Sequence, residues 1–185
     1  VDNKLPVGVK LDLMEAVEAS NEEKLIAKLD ALKVKGSLTD EFKEALYGGS
    51  ITDGRNNFNY NSTIQCVRCH NIGGDGATVG PNLKGVASRL TREQLLQALI
   101  EPSARIAPGY GTTNFVLTDG QEVTGSVISE TAEEVQVKTN DAEPLRIPVA
   151  RIKTRENLPS SMPPMGSLMT KREIRDVVEY LSSIK

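Results

Sequence analysis

The chain has 185 residues, enough for one domain or one and a part, and its 22 Lys and Arg against 25 Asp and Glu leave a net charge of −3. That balance excludes the basic footprint of a nucleic-acid binder, and the absence of any run of about 20 apolar residues excludes a helical membrane span. Hydrophobic residues reach 38% and aromatics only 4%, with no Trp, so large rings cannot anchor the core and something besides side chains is expected at its centre.

Residues 10 to 34 read as helix. Leu11, Met14 and Val17 recur at helical spacing. Asn21 is placed to cap a second helix in which Leu25, Ile26, Leu29 and Leu32 share a face, with Glu22 and Glu23 in its first turn. Gly36 and Ser37 break it, and a short helix around DEFKEALY ends at Gly48–Gly49. Short amphipathic helices bury little alone, so residues 1–48 are expected to form a helical extension, a collar or the tail of a larger helical domain. The first residue is Val1 with no apolar leader after it, which reads as a processed chain or an excised piece.

The main domain is expected over 49–185. Residues 50–63 are polar and Asn-rich and read as one helical turn and a loop. CVRCH follows at 66–70, then the glycine-rich connector NIGGDGATVGPNL. Thr91 and Gln94 form a capping box that opens a helix with an apolar face of Leu95, Leu96, Leu99 and Ile100, stopped at Pro102. Over 111–155 the period changes to two, with turn signals at Asp119–Gly120 and Asn140–Asp141, so four or five short strands are expected. A Pro-rich loop, LPSSMPPMGS, then leads to a second capping box, Thr170 with Glu173, and a closing helix that turns Ile174, Val177, Val178 and Leu181 inward.

Cys66, Cys69 and His70 are the only cysteines and the only histidine. C-x-x-C-H is the attachment signature of a c-type haem. Two thiols three residues apart on one turn can add to two vinyl groups on one porphyrin edge, and the adjacent imidazole then meets the iron from the same side. A thioredoxin-like dithiol would need a βαβ setting that is lacking here. A structural zinc site needs four ligands, and these three residues exhaust the supply. A disulfide closing so small a loop gains little. A covalent macrocycle also supplies the missing apolar bulk, and thioether formation after export points to a periplasmic or otherwise exported location.

With one histidine, bis-histidine ligation within the chain is impossible. Met14, on the apolar face of the first helix, and Met169, just before the Thr170 cap, read as packing residues. Met162 and Met165 lie in the SMPPMG loop, whose prolines suit a fixed thioether, and His/Met ligation raises the reduction potential as an electron carrier needs.

On these residues, namely the CxxCH, GPNL after it, a Met-Pro loop and a last helix ending in EYL, the chain resembles a class I cytochrome c. The resemblance implies a mainly α fold around one haem c. It implies that Pro81 offers its carbonyl to the Nδ1–H of His70, and that Met162 is the distal ligand beside His70, with Met165 as the alternative. The segments QCVRCHNIGGDGATVGPNLKGVASRLTREQLLQALIEPSARIAPGYGT, LTDGQEVTGSVISET and the stretch from SMPPMG to VEYL, about residues 45 to 185, further resemble the C-terminal haem-binding domain of large bacterial exported dehydrogenases of the quinoprotein type. That implies a dehydrogenase domain as electron donor and another cytochrome or a terminal oxidase as acceptor.

The insertion over 111–155 vaguely resembles an SH3- or Sm-like small barrel or bent sheet. It carries five basic residues (Lys138, Arg146, Arg151, Lys153, Arg155) against seven acidic ones, the wrong sign for binding phosphates. It is expected to cover a haem face and stiffen the methionine loop, or to dock a redox partner. Arg89, Arg105 and Tyr110 are candidate partners for haem propionates. The leading expectation is single-electron transfer without bond chemistry at the iron. The rivals are a haem sensor or enzyme with an open sixth position, and a docking module in which the haem is vestigial.

Overall fold

The computed structural model describes residues 6–33, 36–74 and 77–185. The chain divides into two compact units, one formed by residues up to Pro102 together with Pro164–Lys185, the other by Ser103–Pro163.

The first unit is helical. Its α-helices are α1 (Lys10–Ala19), α2 (Glu23–Leu32), α3 (Ile51–Tyr60), α4 (Arg92–Ile100) and α5 (Lys171–Ser183). Both expected capping boxes are present: Thr91 and Gln94 satisfy each other's backbone amides at the start of α4, and Thr170 and Glu173 do so at the start of α5. The apolar stripes behave as their spacing requires, with Leu95, Leu96, Leu99 and Ile100 of α4 and Ile174, Val177, Val178 and Leu181 of α5 all buried. Arg92 joins the two helices through a bidentate pair with Glu179, at 2.7 and 3.0 Å, and donates to the Leu46 carbonyl at 2.8 Å.

Two local expectations are corrected. Residues 51–60, expected as a turn and a loop, form the full helix α3. Ser50 caps it by accepting from the Asp53 amide at 3.2 Å. Packing against α5 overrides its polar composition. A Cβ on Gly54 would collide with the Asp176 carbonyl and come within 2.7 Å of the Tyr180 Cβ, so the two backbones meet closely there, and Phe58 packs edge-on against Tyr180 with ring centroids 5.8 Å apart. Asn21 does not cap α2. It takes φ +55°, Glu22 occupies the cap position without a side-chain bond, and of the expected apolar face only Leu29 is buried, Leu25 and Leu32 being exposed.

α1 docks on α5 through charge. Asp12 pairs with Arg175 at 2.9 Å and with Arg172 at 2.8 Å, and Arg172 also meets Glu15. Between α2 and α3 the chain makes a 3-10 helix, Asp40–Leu46.

The second unit is a five-stranded antiparallel sheet: β1 (Thr113–Leu117), β2 (Glu122–Glu130), β3 (Glu134–Lys138), β4 (Leu145–Pro148) and β5 (Ile152–Asn157), in the order β4-β3-β2-β1-β5. β2 pairs with β1 as far as Gly125 and with β3 from Ser126 onward, so one long strand serves both halves of the sheet. Asp119–Gly120 makes the expected first turn, with Gly120 at φ +85° and Asp119 accepting from the Gln121 amide at 3.1 Å. Phe115, Leu117, Val123, Val135, Val137 and Ile147 form the core. The expectation of a mainly α chain therefore holds only in part, because strands make up a sizeable share of it. No described helix is long and apolar enough to cross a membrane.

Candidate functional site

The CVRCH segment forms a tight 3-10 turn, Cys66–Arg68, entered from an extended Gln65. The Cys69 amide donates to the Cys66 carbonyl at 3.1 Å, and the His70 amide donates to the same carbonyl at 2.8 Å. Both thiols and the imidazole are thus carried on one turn. Cys66 is half-buried, Cys69 is exposed, and neither is in a disulfide. Burial pushes the Cys66 thiol up to about 11, with the neighbouring Cys69 adding to the rise and a backbone hydrogen bond opposing it. At neutral pH that sulfur is a thiol, which argues against a dithiol kept reactive as thiolate.

The glycine-rich connector folds back onto this turn. The Gly80 amide donates to the Cys69 carbonyl at 2.8 Å, the Leu83 amide donates to the Asn71 carbonyl at 2.8 Å, and the Asn71 side-chain amide donates to the Ala77 carbonyl at 2.9 Å. Asp75 and Gly76 of this connector lie outside the described residues. The closure brings the Pro81 carbonyl within 2.9 Å of His70 Nδ1. A carbonyl only accepts, so Nδ1 carries the proton and the Nε2 lone pair is left for a metal.

Gly80 and Asn71 were not singled out from the sequence. The ring of His70 lies against Gly80, where a Cβ would stand 2.6 Å from Cε1 and 2.8 Å from Nδ1. A glycine directly before the proline of GPNL was the available signal, but the direction from which the ring approaches was not readable.

The methionines separate by environment. Met165 is 3% exposed. It opens a 3-10 turn, Met165–Ser167, that packs against α4 and α5, and its carbonyl accepts from the amides of Leu168 and Met169 at 3.0 and 2.9 Å. Met169 is likewise buried, and Met14 is partly buried. Met162 belongs to the other compact unit, in the Pro-rich loop, and is only partly buried. Of the candidate propionate partners, Arg89 donates to the Asn82 carbonyl at 3.0 Å, and Arg105 and Tyr110 are exposed in the sheet-bearing unit.

The residues present fit a covalently attached haem. Two unoxidised thiols sit at i and i+3, and the adjacent imidazole is oriented through Nδ1 with its ring seated against a glycine that leaves room for it. Residues 51–123 match the family model of cytochrome c, a match that carries haem, iron and electron transport with it. It covers less than half of the chain, takes in Cys66, Cys69, His70 and Pro81, and stops short of Met162 and Met165. A comparison with curated proteins finds none that matches.

Proposed function

We propose, with the cytochrome c match as premise, that the chain is a monohaem c-type cytochrome domain that passes single electrons between protein partners. Cys66 and Cys69 are the thioether anchors, His70 is the proximal iron ligand and Met162 the distal one. The observation that carries this reading is the 2.9 Å contact between His70 Nδ1 and the Pro81 carbonyl. It holds the imidazole in the tautomer that presents Nε2, and a hydrogen-bonded imidazole is a stronger donor to metal. Bound haem supplies a one-electron iron couple.

The chain's own residues account for the rest. The CVRCH turn places both thiols beside the ligating ring, and the Gly80 amide bond to Cys69 ties the connector to that turn. Met165 is held in the core of its own unit, which leaves Met162 as the loop thioether free to ligate. With His70 and Met162 both holding a bound haem iron, no substrate would reach it, as a carrier requires. We assign the cytochrome domain to 49–185, with the β insertion 111–155 inside it and 1–48 as a helical extension. The resemblance to haem domains of exported dehydrogenases supports a dehydrogenase domain as donor, a cytochrome or oxidase as acceptor, and an exported location. Such encounters are small and short-lived.

The test is the absorption spectrum of the matured protein, ferric and then reduced, carried into the near infrared. A low-spin spectrum with the weak sulfur-to-iron band that disappears in Met162→Ala is the expected result. A high-spin ferric spectrum with ready CO binding on reduction would replace the carrier by a sensor or enzyme with an open sixth site.

A further inference from the structure

The loop Leu158–Pro164 has few ways to hold its shape. Pro159, Pro163 and Pro164 have no N–H to give, and the amides of Leu158, Ser160 and Met162 are spent on specific partners. Leu158 donates to the Thr112 carbonyl at 2.8 Å, Ser160 donates to Ser103 Oγ at 3.0 Å, and Met162 donates to Ser160 Oγ at 3.2 Å. Pro163 in turn confines Met162 to extended backbone.

Leu158 and Pro159, at the start of the loop, line a cavity of about 490 Å³ together with Ile106, Thr112, Val127 and Arg155 among others. Beyond them the polar tethers of Ser160 and Met162 hold the loop. Ser160 is the central one, because its amide and its hydroxyl serve different partners in series: Ser103 on one side and Met162 on the other.

We propose that Ser160, anchored by Ser103, is the positioning residue that keeps the Met162 thioether on the iron against competing ligands. This rests on the reading of Met162 as distal ligand. It assigns to two surface serines, far apart in sequence, control over how firmly the sixth position is closed.

The experiment uses the haem-loaded full chain, with free imidazole as the competing probe for the ferric iron. Wild type, Met162→Ala, Ser160→Ala, Ser160→Thr and Ser103→Ala are compared by near-infrared spectrum, imidazole affinity and thermal midpoint. In Ser160→Ala the sulfur band is expected to persist, while imidazole binds roughly fivefold more tightly, the worth of one neutral hydrogen bond. Ser160→Thr, which keeps the hydroxyl, is expected to restore wild-type affinity, and Ser103→Ala to shift it in the same direction as Ser160→Ala. A purely structural role would lower the thermal midpoint and leave the imidazole affinity where it was, and that result overturns the proposal. If Ser160→Ala binds imidazole like wild type while Met162→Ala abolishes the band, the positioning role is wrong and the ligand assignment stands. If the band survives in Met162→Ala, the assignment itself falls and takes the positioning role with it.

Discussion

Gly80 forms the floor under His70: a β-carbon there would stand 2.6 Å from Cε1 of the imidazole. The residue after it, Pro81, holds the same ring by its carbonyl at 2.9 Å. Two consecutive residues thus set the ring's position and its rotation, Gly80 by having no side chain and Pro81 by the carbonyl that accepts from Nδ1. Gly80→Ala is expected to displace the ring, at an overpacking cost of about 1–3 kcal/mol. The matured variant should load less haem and show a shifted spin state in its ferric spectrum. Loading and spectrum identical to wild type would mean that the ring has slack the structure does not show.

Met162 and Met165 should respond to substitution in opposite ways. Met165→Ala removes a side chain that is 3% exposed and is expected to cost about 2–5 kcal/mol of stability, read by denaturant titration, while the sulfur-to-iron band remains. Met162→Ala should leave stability within about 1 kcal/mol and remove the band. The reverse pattern would exchange their roles.

The crossing of α3 and α5 depends on Gly54. A methyl group there would collide with the Asp176 carbonyl and crowd Tyr180. Gly54→Ala should gain helix propensity and still lose stability, by about 1–3 kcal/mol or more, because the two helices can no longer approach. A thermal melt at or above the wild-type midpoint would refute the close contact.

Acid should release α1. Burial works to raise the Asp12 carboxyl, but the hydrogen bond and charge of Arg175, and then Arg172, outweigh it and hold it below the usual value of 3.8. A carboxylate depressed in the folded state contributes stability above its unfolded pKa and loses that contribution as pH falls through the folded one. Amide-exchange protection over Lys10–Ala19, taken relative to the intrinsic rate at each pH, should therefore fall as pH drops below about 4, and Asp12→Asn should show the reduced protection already at neutral pH. Protection independent of pH in the wild type would assign the docking to Leu11, which is 2% exposed, rather than to the ion pairs.

Much of this was legible because it is local. The Thr91–Gln94 and Thr170–Glu173 boxes are satisfied within four residues, the stripes of α4 and α5 follow from helical period, and the period of two over 111–155 announced strands. α3 was missed because its Asn-rich stretch is held by α5, a partner more than a hundred residues on. Ser50 with Asp53 and the spacing Gly54–Phe58 were its only local traces. The exposed Leu25 and Leu32 failed in the opposite direction: amphipathic spacing states which face could be buried, and only a neighbouring element decides whether it is.

The site divides in the same way. CVRCH by itself determined that two thiols and one imidazole share a turn, since their spacing is covalent and short-range. The tertiary structure decided the rest: which carbonyl accepts from Nδ1, which glycine the ring rests on, and which methionine is consumed by the core. These depend on chain closure over 11 residues from His70 to Pro81 and on packing between distant helices. No side-chain period records such distances, because they are set by where the backbone returns and not by what precedes or follows each residue.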